Sequence, residues 1–213
     1  QTMSMAMPSY IRQGNTAKVN SLIKQMSNNE IGALITYKVN PVYNLHNAKD
    51  FSNALSKVPL TISSSLYNDE TASLMEYVCP DNHNLESWGD AHPSYNTYSL
   101  MQPTIAPLFS TRQFEDTLLK WSDGSDYNSF LSEFWKKRGV NWAKAVHDGS
   151  FNIEDRKSKV SSIAKLNKNV LSFEISNTNK IELALYEKIG IGDGTQANNP
   201  WLQELPDPIS RAC

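Results

Sequence analysis

Apolar residues Val19, Leu22, Ile23 and Met26 recur at helical spacing behind Asn15, and the pattern stops at Asn28-Asn29. This predicts a surface helix with one buried stripe and an N-cap at Asn15. Residues 32–37, GALITY, then form a short continuous apolar run that ends at Asn40-Pro41, the pattern of a strand covered on both faces. A second helix is expected from Asn47, with Asp50 near its free amides and Phe51, Ala54, Leu55 and Val58 on one face, until Pro59 stops it. Residues 60–63 read as a second strand and 69–76 as a short helix. Residues 77–79 read as a third strand closed by Pro80, so that Val78, Cys79 and Pro80 make a buried edge.

Helix and strand alternate with short connections, which predicts the α/β class: a mostly parallel sheet with helices on both faces in three layers. Residues 80–110 carry Pro93, Pro103 and Pro107 without a convincing period, and a loop of that length is expected to be functional or interfacial. Ser110-x-x-Gln113 has the form of a capping box for a helix whose Phe114, Leu118 and Trp121 face the sheet. The aromatic stretch from 127 to 142, with Gly139 as a stop, predicts a helical pair, and residues 153–166 a further helix. Residues 170–175 and 180–187 read as an edge hairpin around Ser176-Asn177-Thr178-Asn179. The expected organisation is a single domain over 1–213, with a core at about 15–122 and 170–187, a helical insertion at about 123–169 and an extended tail at 188–213. A start at Gln1 leads us to expect a piece of a longer polypeptide.

The 213 residues, 39% hydrophobic and 20% charged, sit in the globular range. A net charge of −2 without any basic cluster beyond Lys136-Lys137-Arg138 disfavours nucleic acid as a partner. Apolar runs fall far short of the roughly 20 residues that span a bilayer, so no direct membrane span is expected. Two cysteines, Cys79 and Cys213, lie far apart and indicate neither a disulfide framework nor a metal site.

Ligands of open parallel sheets bind beyond the carboxyl ends of the strands, which places Asn40-Pro41, Ser64-Ser65, Asp69-Glu70-Thr71 and Pro80-Asp81 on one rim. Such a rim can offer helix amides to a phosphate. The plainer alternative is that Asn68 or Asp69 caps a helix. His83 with Glu86, and His92, form an incomplete metal set, and His147 suits a helix end. Gly190-x-Gly192-x-Gly194 precedes a proline-rich tail and not a helix, so it lacks the helix N-terminus of a phosphate cradle. No serine, cysteine and histidine arrangement for covalent catalysis is visible. Trp121, Trp135 and Trp142 read as core, while Trp88 and Trp201 fall in loops suited to an interface.

The segment DETASLMEYVCP...LESWGD resembles the Glu-Thr-Ala, acid-Val-x-Pro and Leu-Glu-x-x-Gly sequence of the molybdopterin oxidoreductases, in their dinucleotide-binding-like domain. GALITYKVNP is similar to that family's strand ending in Asn-Pro, and QPTIAPLFSTRQFEDTLLKW to its later crossing and helix. The resemblance covers most of the chain outside residues 123–169. Glu86-Ser87-Trp88-Gly89-Asp90, Gln102-Pro103 and ANNPWLQELPDPISR look like one branch, the molybdopterin-like iron-sulfur subunit of bacterial alternative complex III.

This resemblance implies a Rossmann-like sheet within an oxidoreductase subunit and two functional expectations. The first is a cofactor-free scaffold domain of a respiratory quinol-oxidising complex. It would sit at the periplasmic face of the bacterial inner membrane, pack against other domains and subunits of a membrane-bound complex, and have iron-sulfur clusters elsewhere in the parent chain. The second is a domain that binds molybdopterin guanine dinucleotide through Asn40, Ser65, Glu70 and Thr71. Departures from the family pattern, with Ser65 for the strand-end acid and Asp69 for threonine, favour the first, because an aspartate facing a phosphate brings like charge together.

Overall fold

Asn15 turns its side-chain oxygen back to the amide of Lys18 at 3.0 Å, satisfying one of the donors that a helix start leaves free. The helix it caps, α1, runs over Thr16–Ser27 in a computed structural model that describes residues 14–122, 124, 126–153 and 190–206. The backbone divides into two compact units, Gln1–Val160 and Ser161–Cys213.

In the first unit, Ile23 and Met26 of α1 meet Phe51, Ala54 and Leu55 of α3 (Ala48–Leu55), with Val58 and Met75 closing the cluster. Each of the larger side chains contributes about 1.5–3 kcal/mol by leaving water, which makes this stripe the main anchor of the helices. Against it lies a parallel sheet in the order β1-β2-β3, with β1 at Ala33–Tyr37, β2 at Leu60–Ser64 and β3 at Tyr77–Val78. Leu34 pairs with Thr61 and Thr36 with Ser63. Alternation turns this set toward the helices, where Thr36 Oγ1 donates to Met75 Sδ at 3.5 Å. A short helix α2, Pro41–Asn44, follows β1. On the other face Tyr37 stacks on Phe114 of α4 (Phe114–Ser122) with ring centroids 4.5 Å apart. Helices thus flank both sides of a Rossmann-like α/β sheet, as the alternation predicted.

Several details differ from the sequence expectation. Ile35 is 41% exposed, because α4 meets its face of the sheet only at the Tyr37 end. Val78 is 40% exposed and Cys79 and Pro80 are exposed: β3 is a two-residue strand at the sheet edge, with nothing among the described residues paired beyond it. The expected helix at 69–76 is a single 3-10 turn, Ala72–Leu74. Helix α4 begins at Phe114, whose amide donates to Asp81 Oδ1 at 2.9 Å. A cap from a distant strand end thus takes the place of the Ser110–Gln113 box, and Leu118 and Trp121 are exposed.

The stretch expected to be loop contains β4 (Gly89–Ser94) and β5 (Thr97–Met101), which form an antiparallel sheet with β6 (Ser150–Asn152) in the order β4-β5-β6. Pro93 and a register shift between Ala91 and Ser94 break the alternation that would have announced the hairpin, and Asn96 makes the turn at φ 61°. A Cβ at Gly89 on β4 would fall 2.5 Å from Met101 Cε, the far end of a flexible side chain that would have to swing aside. Helices α5 (Tyr127–Lys136) and α6 (Trp142–Asp148) supply the predicted helical pair. Their aromatic core holds Trp135 edge-on to Tyr98 and to Phe151, each at 4.8 Å.

The helix expected at 153–166 and the strands at 170–175 and 180–187 lie outside the described residues. In the second unit, residues 190–206, expected to be extended, contain turns followed by α7 (Pro200–Glu204). Asn199 accepts from the Trp201 amide at 3.1 Å, and Pro200 occupies the first helical position, where its missing N–H costs nothing.

Candidate functional site

Parallel strands end together, so the loops after β1, β2 and β3 converge on one rim, and the structure brings Asn40, Ser65, Glu70 and Thr71 onto it. Asn40 is its hub. Its Oδ1 accepts from Thr71 Oγ1 at 2.7 Å and from the Thr71 amide at 3.2 Å, while its Nδ2 donates to Glu70 Oε2 at 2.7 Å. Thr71, fully buried, accepts in turn from the Val42 amide at 3.0 Å. The hydrogen bond from Asn40 holds the exposed Glu70 carboxyl below its ordinary value.

Ser65 is engaged as well. Its hydroxyl donates to Asp69 Oδ2 at 3.2 Å and accepts from the Tyr67 amide at 3.4 Å. The other oxygen of Asp69 accepts from the Ala72 amide at 2.8 Å. Asp69, two residues before the turn's N-cap Thr71, thus takes up an amide of the 3-10 turn that a phosphate would otherwise need.

Asp81, expected on the rim, and Lys38, which was not, complete it. Asp81, after β3, has a side chain only 1% exposed; one oxygen caps α4 and the other faces Lys38 Nζ at 3.1 Å. Lys38 directly follows β1 in the left-handed region at φ 51°, a conformation that costs a non-glycine residue energy and persists only where its surroundings enforce it. Burial alone would lower the Lys38 ammonium, but hydrogen bonds to Tyr37 and Asp81 carry it above the usual lysine value. Sequence reasoning missed Lys38, whose role depends on a partner 43 positions away. Nothing in a lone lysine after a strand announces that.

The remaining candidates settle into structural roles. His83 Nδ1 accepts from the Leu85 amide at 3.2 Å, and Glu86 Oε2 accepts from the His83 amide at 2.7 Å, a capping box and not a metal pair. Glu86 Oε1 also takes the Leu108 amide at 2.9 Å, and with both bonds its carboxyl lies below the ordinary value. His147 closes the last turn of α6, 2.8 Å from Asp148. Among the described residues no group of three or more His, Cys, Asp or Glu is placed to hold a metal. The described part of the glycine-rich segment leads into α7, a helix of only five residues. Trp135 is core and Trp142 packs against that cluster, whereas Trp121 is exposed at 58% against expectation; Trp201, expected to be accessible, is 78% exposed but lies in α7 and not in a loop.

This chain, with a parallel sheet, an Asn-Pro after its first strand and a Glu-Thr-Ala turn after its second, is similar to a molybdopterin-binding-like protein. It is 36% identical over 91 residues, 41% of its length, to the menaquinone reductase, molybdopterin-binding-like subunit of Nitratidesulfovibrio vulgaris Hildenborough. Its fold matches that of acetylene hydratase from Pelobacter acetylenicus with a TM-score of 0.52 over 62% of this chain, at 16% identity. The matched part amounts to 13% of the first protein and 20% of the second. No protein-family model matches the chain.

Proposed function

We propose that this chain is a cofactor-free scaffold domain in a subunit of a respiratory complex that exchanges electrons with a quinone pool. The saturated rim carries the reading. Asn40, Ser65 and Thr71 each spend their polar groups on one another or on nearby backbone, and Asp69 and Glu70 add negative charge where a pyrophosphate needs donors. Lys38, the cation at the end of β1, is held by Asp81. These residues do not fit a guanine dinucleotide, and opening the rim for one would break a part-buried network and orphan the buried Thr71 hydroxyl, at about 1–3 kcal/mol.

The relative's description as a molybdopterin-binding-like subunit of a menaquinone reductase supports a place in quinone-linked electron transfer. The family resemblance to the subunit of alternative complex III supports a location at the periplasmic face, with iron-sulfur clusters elsewhere in the parent chain. No helix of the described residues is long and apolar enough to cross a membrane, which accords with a domain held in a complex by its neighbours. A scaffold serves electron transfer by fixing the distances between centres that other domains carry.

The test is molybdenum and nucleotide analysis of the parent protein purified from its source. We expect no stoichiometric molybdenum and no guanine nucleotide released by acid. One molybdenum and one guanine nucleotide or more per chain would overturn the proposal.

A further inference from the structure

Next to the rim, β1, α4, α5 and the loop entering β4 enclose a cavity of about 160 Å³, lined among others by Lys38, Trp88, Asp90, Met101, Glu115 and Tyr127. Its charges do not balance. Asp90 accepts from Trp135 Nε1 at 3.0 Å and Glu115 from the Tyr37 hydroxyl at 3.0 Å. Both acids are half-buried, and among the described residues neither pairs with a lysine or arginine. The cation on the wall, Lys38, bonds Asp81 at 3.1 Å, Asn84 at 3.3 Å and the Tyr37 side chain, so a single positive charge serves three acids, Asp81, Asp90 and Glu115. Neutral donors spread a carboxylate's charge but do not cancel it, and a partly buried, uncompensated pair of acids is costly.

The walls indicate which counter-ion suits the space. Trp88 and Tyr127 present aromatic surface, which attracts cations through the negative face of the ring. Burial, then the charges of Asp90 and Glu115, push the Tyr127 hydroxyl up to about 12, so it remains a neutral donor and acceptor beside them. A hard metal ion wants six or more oxygen ligands, and no cluster of three or more ligating side chains is present among the described residues. A planar or tetrahedral organic cation needs only two acceptors and a ring.

We propose that this cavity binds an alkyl guanidinium or ammonium group, with Asp90 and Glu115 as counter-charges and Trp88 and Tyr127 as the aromatic wall. The group is either a small free cation or an arginine or lysine side chain of a neighbouring polypeptide. The site is distinct from the Asn40 rim and stands whether or not the rim takes a nucleotide.

Titration of the full chain with n-propylguanidinium, followed by calorimetry and tryptophan fluorescence, tests the site. Saturable binding is expected, and Glu115→Gln and Asp90→Asn should each weaken it about tenfold or more, as loss of one charged hydrogen bond implies. Far-UV circular dichroism checks that both variants fold; Glu115→Gln keeps an acceptor for Tyr37. A hexapeptide with one arginine separates the sources: tighter binding than the free cation points to a polypeptide side chain, and equal binding to a small amine. Absence of saturation with either probe would overturn the site, as would affinity unchanged in both variants, or binding of calcium with none of guanidinium.

Discussion

The two sheets of the first unit solve the same problem with different materials. Around β1, β2 and β3 the strand ends are rich in serine, threonine and asparagine, and side-chain hydrogen bonds hold the loops. Around β4, β5 and β6 the space is filled by rings, with Trp135 packed against Tyr98, Phe134 and Phe151. A polar network is specific but contributes little net energy per bond, since each replaces a bond to water. An aromatic cluster is energetic but tolerant of detail. The polar region thus retains the outline of a ligand rim, and the aromatic region acts as ballast beside it.

Substitutions can break that contrast at either end. The largest effect is expected for Trp135→Ala, which removes a buried ring and its bond to Asp90: a loss of about 3–5 kcal/mol in chemical denaturation. Asp81→Ala comes next. It removes the cap of α4 and the carboxylate paired with Lys38, and we expect about 2–3 kcal/mol, discounted because Lys38 is 34% exposed and keeps Asn84. Thr71→Val keeps shape but strips the hydroxyl from the Asn40 hub, for about 1–3 kcal/mol in the same assay.

The smallest effects are in pH dependence, and their signs oppose each other. Glu86 has a lowered folded value, so its contribution is present above the unfolded carboxylate pKa and is lost as pH falls through the folded one. Glu86→Gln should therefore lower stability at neutral pH and flatten the decline in acid. Asp90 is raised by burial against the pull of Trp135, so its ionisation opposes folding as pH rises through its unfolded and then folded values. Asp90→Asn should flatten that fall. Denaturation midpoints measured across the acid range separate the two.

The parallel region was legible because each of its signals is local. Asn15 and Asn47 start helices and the apolar spacing of α1 and α3 matches the buried cluster, although α3 ends at Leu55, short of the stop expected at Pro59. The antiparallel hairpin was not legible, because Pro93 and the shift near Ala91 erase its alternation and its partner β6 comes from residue 150 onward. Rim positions were legible as positions: Asn40, Glu70 and Thr71 do meet, while Ser65 bonds Asp69 beside them. What they do with one another was not, since the bonds linking Asn40 to Thr71 or Lys38 to Asp81 join separate loops and leave no trace in spacing. The cap of α4 shows the same limit, with Ser110 offering the local pattern and Asp81 supplying the bond.

The central claim is that the rim is closed by its own side chains. Calorimetric titration of the full chain with GDP, beside the Glu70→Ala variant, tests it most directly. The account predicts no saturable heat for either protein. Saturable binding of GDP that Glu70→Ala weakens would contradict it.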